Sequence, residues 1–267
     1  MNTFARNRLS WFWLAIWFIP ASAMFFYGNI PHELSRVLAT PSFTLPFGGD
    51  AFGRDLFGLT LRSSVASLAI ALLSAGTSFV VGILAGTSAV LAPLPVRIPI
   101  RRTIEFLLAF PGILLGLGLA ALRGPGWTTL FISLILGSLP GFTRLIWVRT
   151  EELLAEGYIE AARAVGATGR ELFKNHLLDA LLSFASVKIP NLLAQTLMAE
   201  AALSFLGVGA PMGQDSWGLL LAQGKEYLLE APHIALASGL PLFLTIAALQ
   251  KISEAFFQSI PANHRVK

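Results

Sequence analysis

Residues 64–91 read SVASLAIALLSAGTSFVVGILAGTSAVL, a run without a single charged side chain. An α-helix needs about 20 mostly apolar residues to cross the hydrocarbon core of a bilayer. This run is long enough to cross, and it lacks the alternation of apolar and polar positions that is typical of a half-buried strand. The stretch therefore predicts a transmembrane helix.

The same apolar character returns in five further stretches of the chain. They cover residues 10–28, 104–122, 127–148, 181–206 and 233–257. A cleaved signal peptide is the alternative for residues 10–28, but the long apolar run and the absence of a cleavage site before a soluble domain favour a retained span. We therefore expect an all-α, polytopic bundle of six transmembrane helices.

The composition supports this class of protein. Only 13% of the residues are charged, 55% are hydrophobic and the mean hydropathy is +0.69, whereas ordinary soluble domains carry about 25% charged residues. This composition excludes a soluble globule, a disordered chain and a nucleic-acid-binding tail. Cysteine is absent, so disulfide bonds and thiolate metal sites are excluded as well.

The few basic residues predict how the chain is oriented. With both termini in the cytoplasm, eleven of the nineteen Lys and Arg residues fall in cytoplasmic segments and five fall in outer segments. Basic residues are enriched on the cytoplasmic side of membrane proteins. We therefore expect both termini inside, with a long outer loop over residues 29–62 and a long cytoplasmic loop over residues 149–180.

The cytoplasmic loop reads as a helix, a glycine turn and a second helix. Acidic residues crowd its first part and basic residues follow, as the helix dipole favours. Gly166 interrupts the pattern, and Thr168 and Glu171 have the spacing of a capping box that starts a new helix. Small side chains between the charges suit docking into a partner's groove. The alternative is a solvated amphipathic helix that lies on the membrane or links two spans.

Three motifs resemble one known family. Tyr158-Ile159-Glu160-Ala161-Ala162, followed by Gly166 and His176, resembles the EAA motif of the permeases in binding-protein-dependent ABC importers. Residues 48–55, GGDAFGRD, resemble the GTDxxGRD segment of the dipeptide, oligopeptide and nickel branch. Residues 200–209, EAALSFLGVG, with SWG at 216–218, resemble the outer loop of that branch, and Phe110-Pro111 also fits. The chain departs from the pattern at Gly49, at Asp179 and over residues 250–261.

The resemblance implies a permease subunit that forms half of an ATP-driven import pathway in the bacterial inner membrane. Its implied partners are a second permease subunit, two cytoplasmic ATPase subunits and an extracytoplasmic substrate-binding protein. ATP would bind to the ATPases, so no cofactor is expected in this chain. The implied substrates are peptides or nickel-type chelates, and a glycoside remains a possible substrate as well. Residues 1–62 would form the first span and outer loop, and residues 63–267 the transmembrane core domain.

The resemblance also implies two sets of functional residues. The ATPase would contact the residues of the EAA motif, namely Tyr158, Glu160, Ala161, Ala162 and Gly166. The outer vestibule or translocation path would involve Asp50, Arg54, Asp55, Glu200, Ser204 and Trp217. For the outer loop, the alternative is a folded cap held by internal salt bridges. For Glu200, the alternative is that it ties down the loop that follows it.

No enzyme motif accompanies these features. Gly224-Lys225 is followed by Glu226, which breaks the Walker A pattern that cradles phosphate. The histidines are scattered without an HExxH pattern, so we expect neither a metal site nor a catalytic site. A stand-alone secondary transporter or channel remains as an alternative function, and an intramembrane protease using Ser88 and His233 is a more distant one.

Overall fold

The structure is a computed structural model that describes residues 9–15, 17, 30–209 and 215–259, with the side chains of Arg163 and Ser259 left aside. Its described part contains helices and no β-strand, apart from one antiparallel bridge between Gly49 and Asp55. Residues 9–15 and 17 are helical. The other helices are α1 Leu56–Leu91, α2 Leu94–Leu108, α3 Gly112–Arg123, α4 Trp127–Leu154, α5 Gly157–Ala164, α6 Gly169–Leu172, α7 Leu178–Phe205, α8 Trp217–Glu226 and α9 Pro232–Ser259. A π-helical turn, Phe173–Leu177, joins α6 to α7.

Four helices are long and apolar enough to cross a membrane. They are Leu56–Leu91, Trp127–Leu154, Gly169–Phe205 and Pro232–Gln258, and they coincide with four of the predicted spans. Most of the predicted span 10–28 lies outside the described residues. The all-α fold is therefore confirmed, and the total of six spans stays a prediction.

The predicted span over residues 104–122 is broken in the structure. The chain there forms α2 and α3, which meet at an angle of 91°. Pro111 precedes α3 and has no N–H with which to continue the hydrogen-bond ladder of α2. Gly112 then lies against Gly137 of α4, where an added Cβ would approach the Cα of Gly137 to 2.9 Å. Counting the bent pair as one span gives up to five spans in the described part.

Two glycines of α1 allow it to pack closely against α4. A Cβ added at Gly82 would lie 2.6 Å from the ring of Phe142, and one added at Gly86 would lie 2.8 Å from the Cβ of Ile146. Small residues at such contacts let helix backbones approach in lipid, where packing drives association. The Gly82–Gly86 spacing therefore serves packing within the bundle.

Two apolar clusters place the functional segments at opposite ends of the long helices. The inner core joins α1, α4 and α7, through residues such as Phe142 and Leu181, to Ile159, Leu172 and Leu177 of the loop after α4. The outer core joins α1, α7, α8 and α9 around the buried Trp217.

Candidate functional site

The loop after α4 forms a compact helical segment, which we call the coupling segment (residues 157–171). Helix α5 is followed by Gly166 at φ +95°, a left-handed conformation that favours glycine. Thr168 then caps α6. Its Oγ1 accepts a hydrogen bond from the N–H of Glu171 over 3.4 Å, and its own N–H donates to Glu171 Oε2 over 2.8 Å. The predicted helix, glycine turn and capping box are confirmed.

One side of α5 is anchored and the other is exposed. Ile159 is fully buried in the inner core, whereas Tyr158, Glu160 and Ala161 are exposed and Ala162 is half-buried. Val165, in the turn directly after this helix, is 91% exposed. The coupling segment therefore presents small and apolar side chains to its surroundings while Ile159 ties it to the transmembrane helices.

Two other motif residues lie close together beside this helix. The ring centroids of Tyr158 and His176 are 6.4 Å apart, although 18 positions separate the residues in the sequence. His176 belongs to the π-helical turn between α6 and α7. The turn therefore brings the histidine of the motif back to its tyrosine.

A cavity of about 400 Å³ lies next to the coupling segment. The end of α1 lines one side of it, and Gly169, Arg170 and Phe173 line the other. The sequence motifs did not indicate this cavity, because its walls come from segments about eighty residues apart.

The outer loop before α1 folds around a buried carboxylate. Asp50, which is 1% exposed, accepts hydrogen bonds from the N–H groups of Phe52 at 2.9 Å and Arg54 at 2.7 Å, and it pairs with Arg54 Nε at 2.7 Å. Gly53, at φ +72°, lies so close to the carbonyl oxygen of Glu33 that a Cβ would overlap it. The glycines of the motif thus allow a tight loop, which we call the outer cap (residues 33–55).

The two ends of the Arg54-Asp55 dipeptide fix the outer cap to helices. Asp55 is the N-cap of α1 and accepts hydrogen bonds from the N–H groups of Phe57 and Gly58 at 3.1 and 3.4 Å. Arg54 Nη1 lies 3.4 Å from Asp215 Oδ1, just before α8. The outer cap therefore contacts the segment that leads into Trp217.

Trp217 holds α8 against α1. Its main-chain N–H donates to Ser67 Oγ over 3.0 Å, and its indole Nε1 donates to the carbonyl oxygen of Thr60 over 3.1 Å. Gly218 lies against the carbonyl oxygen of Ala201, and a Cβ there would overlap α7. The start of α8 is thus enclosed by α1 and α7.

Glu200 lies fully buried beside this junction. Its Oε1 accepts a hydrogen bond from Ser204 over 2.8 Å. Ser67 and Ser216 face the same carboxyl group, although Oε2 accepts no hydrogen bond of good geometry from the described residues. The structure therefore brings Glu200, Ser204 and Trp217 into one neighbourhood. Their role in the translocation path stays a prediction.

Within the described residues, no group of three or more His, Cys, Asp or Glu side chains is arranged to hold a metal ion.

Sequence reasoning passed over two residues that contribute to these sites. Asp215 was not singled out because its partner Arg54 is distant in the chain. Ile159 is an apolar residue inside the EAA motif, and only its burial shows that it is the anchor.

Together, the long apolar helices and the exposed helical segment at one end define a polytopic, all-helical membrane protein. Residues 78–259 match the family of binding-protein-dependent transport system inner membrane components. Because the match covers more than half of the chain, the chain belongs to this family.

Several relatives agree with this assignment. The chain is 33% identical over 208 residues to a Brucella suis protein named as a peptide transport system permease. The aligned region covers 78% of this chain and 70% of that protein. It is 31% identical over 222 residues to the glutathione transport system permease protein GsiD of Pectobacterium atrosepticum, covering 83% of this chain and 74% of the relative. An inward-facing MetNI methionine ABC transporter shares the fold, with a TM-score of 0.59 and 19% identity over 74% of this chain and 96% of that chain.

The family membership settles the class of function. The chain is a membrane-embedded permease subunit of an ABC importer, which works with ATPase partners and transports its substrate without being an enzyme itself. The stand-alone transporter, the channel and the intramembrane protease are thereby set aside.

Proposed function

We propose that this chain forms half of the translocation pathway of an importer for short peptides in the bacterial inner membrane. Relatives at 33% and 31% identity are named as peptide and glutathione permeases, and glutathione is itself a tripeptide. These names favour a peptide-like substrate over a metal chelate or a glycoside. The full assembly would contain a second permease, two ATPases and an extracytoplasmic binding protein.

The burial of Ile159 beneath an exposed α5 carries the proposed coupling role. An ATPase cleft that closes around Tyr158, Glu160 and Ala161 would move α5 as a unit, because Ile159 is packed in the inner core with Leu172. Packed interiors transmit displacement because they are dense and have low compressibility. Movement of the ATPase would therefore reach α1, α4 and α7 through Ile159 and the side chains packed with it in the inner core.

The proposed orientation places the coupling segment in the cytoplasm and the outer cap on the opposite side. The asymmetry of basic residues supports this orientation with both termini inside. Six spans follow if residues 10–28 cross the membrane and the bent α2–α3 pair counts as one span. A binding protein would then deliver substrate to the face that carries Asp50, Arg54 and Trp217.

Single-cysteine crosslinking tests the coupling role directly. The chain contains no cysteine, so Val165→Cys introduces one reactive site in the exposed turn directly after α5. In the intact importer, a photoreactive maleimide at this site should crosslink to an ATPase subunit. The matched control is Phe43→Cys, an equally exposed site in the outer cap, which should give no ATPase adduct. A complex that retains its ATPase but gives no adduct from Val165→Cys would contradict the proposal.

The substrate class needs a separate measurement. The binding protein that co-purifies with the importer should release short peptides on denaturation, identified by mass spectrometry. Peptide uptake into proteoliposomes should require ATP and that binding protein. Release of a metal chelate or a sugar, without peptide, would contradict the peptide assignment and leave the coupling experiment unaffected.

A further inference from the structure

Two arginines lie over one tryptophan at the end of α4 that leads into the coupling segment. The guanidinium carbon of Arg101 is 4.2 Å from the ring centroid of Trp147, and that of Arg144 is 4.1 Å from it. Trp147 is buried, and its indole N–H donates to Glu151 Oε1 over 2.8 Å. The indole is therefore fixed in position and holds both cations by cation–π contact.

The two arginines differ in how their charge is balanced. Arg101 donates to the carbonyl oxygen of Ala89 over 2.6 Å and pairs with Glu151 over 2.8 Å. Arg144 is exposed and has no carboxylate within ion-pair distance among the described residues. The cluster of two guanidinium groups and one carboxylate therefore carries a surplus positive charge on the side of Arg144.

Helix α4 is long and apolar enough to cross a membrane, and Arg144 lies in the half of it that leads into the coupling segment. Arg144 lies ten residues before Leu154, the last residue of α4, which is roughly 15 Å along a helix axis. An arginine at such a depth extends its long side chain toward the headgroups. Val148, the next exposed residue along this face of α4, is apolar, and α2, which packs against α4, exposes Phe106.

We propose that Arg144, held on Trp147 beside Arg101, binds the phosphate of an anionic phospholipid in the leaflet on the coupling-segment side. A guanidinium group can donate two parallel hydrogen bonds to a phosphate, and basic residues near an anionic leaflet are attracted to it. Arg97, one turn before Arg101 on α2, also lacks a carboxylate partner in the described part of the chain and adds to the local positive charge. The occupied site would hold lipid at the junction of α1, α2 and α4.

The test is a lipid titration of the intact importer followed by native mass spectrometry. The unmodified complex should bind phosphatidylglycerol in preference to phosphatidylcholine. Arg144→Gln should weaken phosphatidylglycerol binding about fivefold, the factor that one basic residue near an anionic surface supplies. The matched control is Arg123→Gln, an exposed arginine at the far end of α3, which removes the same charge and should leave binding unchanged. Arg144→Lys keeps the charge but cannot donate the two parallel hydrogen bonds, so its affinity for phosphatidylglycerol should lie between those of the unmodified complex and Arg144→Gln.

Several results would overturn the proposal. An unmodified complex without preference for phosphatidylglycerol overturns it whatever the variants do. If Arg144→Gln and Arg123→Gln lost equal amounts of phosphatidylglycerol binding, the lipid would be responding only to the net charge of the complex, and no specific site would exist at Arg144. Displacement of the lipid by inorganic phosphate at the same concentration would identify free phosphate as the ligand. Loss of the second permease from Arg144→Gln, with lipid binding intact, would show that Arg144 pairs with a carboxylate of that subunit.

Discussion

The guanidinium group of Arg54 lies 3.4 Å from the carboxylate of Asp215, although 161 positions separate the two residues. Arg54 also pairs with the buried Asp50 at 2.7 Å. One side chain thus joins the outer cap to the segment that enters α8. The chain closes its outer end with an arginine between two carboxylates, and this arrangement leads to the first prediction.

Arg54→Gln should destabilise the outer end of the permease. Removing one partner of a buried ion pair leaves an uncompensated charge, at a cost of about 3 kcal/mol. Heat unfolding of the purified complex should show a lower midpoint. Arg36→Gln is the matched control, because Arg36 pairs with Glu33, which is 42% exposed, and exposed pairs contribute about 0–1 kcal/mol. Equal midpoints for the two variants would contradict the structural role of Arg54.

Gly86→Ala should weaken the packing of α1 against α4. The new methyl group would lie 2.8 Å from both the Cβ of Ile146 and the main-chain oxygen of Thr143, so the helices would have to separate. Overpacking of this kind costs about 1–3 kcal/mol. The yield and unfolding midpoint of the assembled complex provide the measurement. Gly76→Ala on the same helix meets no atom within 4 Å and should match the unmodified protein.

Gly166→Ala should impair coupling without a steric clash. No atom lies within 4 Å of an added Cβ, but the residue has φ +95°, a conformation that costs an L-residue about 1 kcal/mol or more. A loss of 1.4 kcal/mol corresponds to about tenfold in the population of the native turn, so transport into proteoliposomes should fall several-fold. Gly157→Ala is the matched control, because an added Cβ there also meets no atom within 4 Å and the residue has no positive φ. This variant should transport normally. Normal transport by Gly166→Ala would show that the turn is not needed.

Local features of the coupling segment could be predicted from sequence because their partners are near in the chain. Thr168 and Glu171 are three positions apart and form the predicted capping box, and Gly166 adopts the predicted turn. The helical character of the long apolar runs was predictable for the same reason, since it depends on composition over one stretch.

Features that depend on distant contacts could not be predicted. Pro111 interrupts the predicted span and indicates a kink, but the sequence does not give the 91° angle between α2 and α3. That bend needs the close approach of Gly112 to Gly137 on another helix. Asp55 shows a related difference. The resemblance implied a residue of the outer vestibule; the structure shows that its carboxylate caps α1, and the vestibule role stays a prediction.

Glu200 offers the sharpest test of what the outer junction does. Its side chain is 0% exposed and accepts a hydrogen bond from Ser204. If the residue has only a structural role at this junction, Glu200→Gln should support nearly normal transport, because the amide oxygen can accept the same bond from Ser204, one turn further along α7. Glu200→Leu should lose stability and transport, because it leaves the hydroxyl group of Ser204 buried without that acceptor, at about 1–3 kcal/mol.

A comparison of these two variants distinguishes the effect of the charge of Glu200 from the effect of its hydrogen bond. The unmodified complex and Glu200→Gln should unfold at nearly the same temperature, and Glu200→Leu should unfold at a lower one. Ser204→Ala removes the donor and should resemble Glu200→Leu more than Glu200→Gln, because the buried carboxyl group then loses its hydrogen bond. A Glu200→Gln complex that is fully stable yet transports as poorly as Glu200→Leu would favour a charged residue on the substrate path over a purely structural role.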